Sequence, residues 1–201
     1  IKTVENKHTH LVPEELEQLE RLSLTDKHMK LQKSLDAFLF CCYAGMRYSD
    51  FTNLSKKNIV DINQETWLIY KSVKTGTEVR LPLYLLFAGK GIVILNKYRN
   101  NLEDFFRLRD NSNINKDLII IAKLAGLSKK ISFHTARHTN ATLLIYNGVN
   151  ITTVQKLLGH KSVKTTQVYT NIMDMTIVHD LEKIKQAALG IKKKTDNSFN
   201  K

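Results

Sequence analysis

This chain of 201 residues contains two cysteines, and they are adjacent. Cys41 and Cys42 fall in the apolar run 37–46, where neighbouring helical side chains point in different directions. They form a poor disulfide pair and read as core filler. Without a disulfide framework the chain fits a reducing compartment, and a cytoplasmic location is expected. The same run is too short to cross a bilayer, and no other uninterrupted apolar stretch approaches the roughly 20 residues that a span requires. No signal-peptide pattern is visible. There is no Gly-rich phosphate loop. The histidines do not cluster with cysteines or carboxylates at ligand spacing, which rejects a zinc site. Neither metal nor cofactor is expected, and there is no internal repeat. Acidic residues are scarce: 19 Asp and Glu stand against 31 Lys and Arg, a net charge of +12. Such an excess strains a compact fold by self-repulsion and points to a polyanionic partner, although a merely basic protein would show the same balance.

What is present reads as one globular unit. Apolar residues make up 42% of the chain, enough for a real core at this length. Residues 1–10 are polar and aperiodic, like the end of an interdomain linker. The first residue is Ile1 rather than Met, so we expect a fragment whose N-terminal partner domain is missing. Residues 11–190 are expected to form one domain and 191–201 a flexible charged tail. Pro13 with Glu14 and Glu15 opens a helix, and a second runs over about 27–43 until Gly45 stops it. A short helix follows over about 49–54. The period then changes to alternation over 66–71 and 78–83, joined by a turn at 72–77, with 59–62 as a possible third strand. Helices resume at about 88–100, 114–125, 134–146, 152–158, 163–170 and 174–189. The expected class is mostly α with a small antiparallel sheet (α+β).

Four segments carry residues able to do chemistry: Arg47 with Asp50 in Gly-Met-Arg-Tyr-Ser-Asp; Lys74 in the turn between the strands; His134, Arg137 and His138 in His-Thr-Ala-Arg-His-Thr; and His160 in Leu-Gly-His, followed by Tyr169 in Thr-Thr-Gln-Val-Tyr. Each alone has a plain structural reading. An Arg after Gly can bind helix-end carbonyls, a turn Lys is usually solvated, Gly-His at a helix end is a stop with a dipole-compensating charge, and a helical Tyr is usually core. Asp50 serves equally as a helix N-terminal acid.

Taken in order, these residues resemble the active-site signature of the tyrosine recombinase, or phage integrase, family. The resemblance covers residues 11–189 and rests on an Arg-x-Ser-acid segment, a Lys-bearing β-turn leading into x-Pro-Leu, His-x-x-Arg-His-Thr, Leu-Gly-His and Thr-Thr-x-x-Tyr. Asp50 stands where many relatives carry Glu, which keeps the charge. The resemblance implies the DNA breaking-rejoining catalytic fold, with Arg47, Lys74, His134, Arg137, His160 and Tyr169 as catalytic residues and Asp50 and His138 in support.

The chemistry fits those residue types. A scissile phosphodiester gains negative charge in its transition state, and two guanidiniums, Arg47 and Arg137, grip non-bridging oxygens with planar donors. A phenol with an ordinary pKa of about 10 needs a base or a positive site to become a nucleophile. His134 is the expected proton acceptor from Tyr169, His160 a donor to a phosphate oxygen, and Lys74, as the resemblance also implies, the acid for the departing 5′-oxygen. Asp50 is expected to orient Arg47 or His134, and His138 is given a secondary role. The product would be a 3′-phosphotyrosine and a free 5′-hydroxyl, and rejoining would need no ATP.

The expected function is site-specific recombination of double-stranded DNA, integrating or excising a mobile element. The longer protein is expected as a tetramer on two sites, with accessory DNA-bending proteins as candidate partners, and the fragment alone as a monomer. Type IB topoisomerase-like relaxation and a DNA-binding regulator without cleavage are the alternatives. Leu-Gly-His and Thr-Thr-x-x-Tyr argue against the first, and the complete residue set against the second.

Overall fold

A computed structural model describes residues 9–169 and Leu181. The expectations for 1–8, the helix at 174–189 and the tail at 191–201 lie outside the described residues. Among the described residues nine α-helices and one sheet are seen: α1 (Pro13–Glu20), α2 (Gln32–Ala44), α3 (Tyr48–Thr52), β1 (Ile59–Ile62), β2 (Glu65–Lys71), β3 (Glu78–Pro82), α4 (Lys90–Lys97), α5 (Leu102–Phe106), α6 (Asn111–Leu124), α7 (Phe133–Tyr146), α8 (Ile151–Leu158) and α9 (Val163–Gln167). The class is the expected one, mostly α with a single antiparallel sheet. Among the described residues, no helix is long and apolar enough to cross a membrane.

Two helices buried on every side form the centre. In α2 every residue from Ser34 to Ala44 is buried, and in α7 the same holds from Thr135 to Ile145. A helix surrounded by other elements has no solvent face, so its polar residues must find internal partners. Asn140 on α7 does so by donating to the carbonyls of Cys42 and Tyr43 at 2.9 and 3.0 Å, which would otherwise be orphaned at the end of α2. Phe40, Phe51, Phe105, Phe106 and Phe133 pack edge-on or tilted beside this pair.

The sheet has the order β1-β2-β3. Asn63 and Gln64, both at positive φ, form a two-residue turn between β1 and β2. Residues 72–77 join β2 to β3, closed by the amide of Ser72 donating to the carbonyl of Thr77 at 2.8 Å. Alternation places Leu68, Tyr70 and Ser72 of β2 and its turn inward, with Val79 and Leu81 of β3.

Three boundaries differ from the expectation, the first being the helix expected over about 27–43, whose start at Asp26–Leu31 is a 3-10 turn before α2. The helix expected over 88–100 is α4, Lys90–Lys97, which starts later because Phe87, Ala88 and Gly89 all turn left-handed and Phe87 packs its ring on Tyr43, and α5 follows it beyond the expected range. Asn101 then caps α5 by accepting from the amide of Asp104. At the other end α9 stops at Gln167, not at 170. Five residues rich in β-branched side chains cannot sustain a longer helix unaided.

Candidate active site

Arg47 is the N-cap residue of α3, two residues after the left-handed Gly45 that ends α2. Its Nη1 lies 3.5 Å from the Asp50 carboxylate and donates to Ser72 Oγ at 3.4 Å. Asp50 is fully buried and also holds the base of the Lys74 turn: Ser72 Oγ donates to it at 3.3 Å and the amide of Val73 at 2.8 Å. A buried carboxylate needs such partners to stay charged. The sequence reading offered Arg47 or His134 as the group Asp50 orients; its contacts are with Arg47 and with the turn.

Arg137 is the largest fully buried side chain, 1% exposed. Its Nη1 donates to the carbonyl of Gly45 at 2.7 Å, and its Nη2 to the carbonyl of Leu158 at 2.6 Å and to His160 Nε2 at 2.8 Å. It therefore ties the end of α2 to the end of α8. Gly45 has to be glycine here. Its φ is +66°, and a Cβ would stand 2.6 Å from Asn140 Oδ1. Burial, then repulsion from Arg47, lowers the Arg137 pKa to about 10.

Since a guanidinium only donates, His160 Nε2 is the acceptor and the proton sits on Nδ1, 2.9 Å from Thr166 Oγ1. Burial, then Arg137, Arg47 and Lys74, lowers the His160 pKa to about 4. The imidazole is thus neutral, with its Nε2 accepting from Arg137.

Tyr169 lies just beyond α9, its amide donating to the carbonyl of Thr166 at 3.1 Å and its ring 5% exposed. Burial raises the phenol pKa, while Arg137 and Arg47 pull it back down. The ring packs on His138 with centroids 5.4 Å apart, and His138 meets His134 edge-on at 4.3 Å. His138, given a secondary role from sequence, stands between the other two. His134 is exposed at the start of α7.

Lys74 is exposed in the turn between β2 and β3. The neighbouring Thr75 reaches across to the carbonyl of Gly159 at 3.2 Å. The structure therefore links Arg47 with Asp50 and the base of the Lys74 turn, and Arg137 with His160 and, through Thr166, with Tyr169, to which His134 is joined through His138. Sequence reasoning missed Ser72, Thr75 and Asn140. Thr166 was visible in the Thr-Thr-x-x-Tyr word, but its contact with His160 was not. Tyr70 is also unanticipated, with a hydroxyl buried without a hydrogen-bond partner and a pKa raised by burial and by Asp50. Among the described residues, no three His, Cys, Asp or Glu side chains form a group able to hold a metal. A separate cleft of about 380 Å³ opens at the other end of α7, lined by Leu16, Glu20, Phe87, Lys90 and Leu143 among others.

Arranged this way, the site presents two guanidiniums and a lysine to an anion, beside a tyrosine and three imidazoles. Comparison with known proteins gives the same direction. The model of the Phage integrase family matches residues 10–175. A tyrosine recombinase of Pseudothermotoga lettingae is 30% identical over 181 residues, covering 88% of this chain and 60% of that protein. The crystal structure of XerA recombinase superposes with a TM-score of 0.67 at 26% identity, covering 87% of this chain and 64% of that one. XerH recombinase, in a post-cleavage complex with palindromic difH substrate, superposes with a TM-score of 0.63 at 21% identity, covering 90% of this chain and 52% of that one. The chain spans about half to 60% of the length of the curated relatives it matches. With its family model matched over most of its length, this chain belongs to the phage integrase family and has the fold of a tyrosine recombinase catalytic domain.

Proposed function

We propose that this domain cleaves and rejoins double-stranded DNA at specific sites through a 3′-phosphotyrosyl link to Tyr169. The observation that carries the reading is the chain of contacts from Arg47 and Arg137 to the tyrosine: Arg137 holds His160, His160 holds Thr166, and Thr166 receives the amide of Tyr169; burial raises the phenol pKa and both arginines act against that rise. The contacts of Arg47 are long, 3.4 and 3.5 Å, so it retains donors for a phosphate oxygen. Arg137 is fixed by two carbonyls before substrate arrives, and preorganised donors lose little on meeting the developing charge. His134 takes the phenol proton as the tyrosyl oxygen bonds to phosphorus. The bond to the 5′-oxygen breaks, and Lys74 gives that oxygen its proton. Attack by a 5′-hydroxyl from a partner strand reverses these transfers. His160 keeps Arg137 oriented and, once a phosphate oxygen displaces it from Nη2, completes the pocket.

Exchange between two duplexes involves four strands and each chain carries one nucleophile, so the full protein acts as a tetramer on two sites. Integration or excision of a mobile element is the biological setting we assign, with cytoplasmic location and accessory DNA-bending proteins as its corollaries. The domain spans 11–190, and the separate fragment is a monomer.

Covalent trapping on nicked duplexes tests the reading, using a library of candidate element termini and both wild type and Tyr169→Phe. An adduct on the 3′-phosphate, mapped to Tyr169 and absent from the variant, is expected. An adduct that persists in Tyr169→Phe would overturn it. Relaxation of supercoiled plasmid without strand exchange would shift the reading to a topoisomerase.

A further inference from the structure

The turn that carries Lys74 is anchored on both flanks. On one side Asp50 accepts from Ser72 and from the amide of Val73. On the other, Thr75 Oγ1 donates to the carbonyl of Gly159 at 3.2 Å and accepts from the amide of Thr77 at 3.4 Å. The Gly159 corner is itself rigid. Its φ is +62°, a Cβ there would meet Val79 Cγ2 at 2.6 Å, and the next residue, His160, is clamped by Gln155 at both its amide and its carbonyl. A lysine on an exposed turn has four rotatable side-chain bonds. Its ammonium reaches a defined atom only if the backbone beneath it is held.

We propose that Thr75 is a positioning residue for Lys74: its hydroxyl fastens the turn to the Gly159–His160 corner, so that the lysine and the imidazole keep one spacing across the scissile phosphate. Lys74 contributes to lowering the His160 pKa, which agrees with that proximity. The proposal rests on Lys74 as the acid for the leaving 5′-oxygen. The turn closes without the hydroxyl, because Gly76 donates to Ser72 and Ser72 to Thr77, and inside the turn the hydroxyl adds only the long 3.4 Å contact with the amide of Thr77.

The test compares single-turnover cleavage of two nicked duplexes with the same sequence, chosen by covalent trapping. One has an ordinary phosphodiester, the other a sulfur in place of the bridging 5′-oxygen. When the P–S bond breaks, the thiolate leaves without needing a proton, so the acid becomes dispensable. Thr75→Val removes the hydroxyl and keeps the shape. It should slow the ordinary substrate about tenfold or more, less than full loss of a general acid, and leave the sulfur substrate within about twofold. DNA affinity should stay unchanged, and Thr75→Ser should restore the wild-type rate. Equal slowing on both substrates, or none on either, overturns the proposal. Lys74→Ala separates the two levels. If sulfur rescues Lys74→Ala but Thr75→Val shows no selective defect, only the anchoring role fails. If sulfur does not rescue Lys74→Ala, the acid assignment fails and the proposal with it.

Discussion

Arg137 donates to Nε2 of His160 across 2.8 Å, and this one contact fixes the imidazole as its neutral Nδ1–H tautomer. Its folded pKa of about 4 lies below the ordinary value of 6.5. The unfolded chain then binds a proton that the folded chain refuses, so stability is fully present above pH 6.5 and is lost as pH falls toward 4. The loss is at most roughly 3 kcal/mol. Thermal melts between pH 4 and 7 should show it, and His160→Gln should flatten the profile within that window.

Arg137→Lys keeps the charge and loses the fork. The carbonyls of Gly45 and Leu158 and His160 Nε2 cannot all be served by one ammonium in the same place. We expect cleavage to fall on the order of a hundredfold or more, and stability by about 1–3 kcal/mol for a buried acceptor left unpaired. Urea unfolding and single-turnover cleavage measure the two separately. Wild-type rates in Arg137→Lys would show that charge suffices there.

Gly45→Ala forces a left-handed alanine against Asn140. The strain costs on the order of 1–3 kcal/mol, and any shift of Asn140 releases the α2 carbonyls it binds. Because Arg137 holds the Gly45 carbonyl, the cleavage rate should fall with stability in this variant. A stability loss without a rate change would separate the two.

The ring of His138 packs on that of Tyr169. His138→Phe should form adduct within about threefold of wild type, while His138→Ala should slow it about tenfold through loss of the packed ring. Similar losses in both would assign the effect to the imidazole nitrogens.

The sequence made the reacting groups readable because their types and order are dictated by what a phosphodiester requires. Alternation also marked two of the strands, and the candidate third at Ile59–Ile62 is β1. Local sequence does not carry the contacts that hold those groups. Asn140 acts on Cys42 across 98 positions, and Thr75 on Gly159 across 84. Both are ordinary polar residues whose roles arise only when the chain folds back. The break at Phe87–Gly89 was hidden for a related reason: no local rule asks Phe87 or Ala88 to turn left-handed. His138 was undervalued because adjacency to Arg137 along a helix says where a ring starts, not what packs on it.

Thr166 is held at two points. Its carbonyl receives the amide of Tyr169, and its hydroxyl receives the Nδ1 proton of His160. A segment that withdraws the tyrosine also withdraws the partner that keeps the imidazole in its tautomer, and with it the acceptor that steadies Arg137. Displacing that one turn of chain therefore moves the nucleophile and the partner of the imidazole together, while Arg137 keeps its hold on the carbonyls of Gly45 and Leu158.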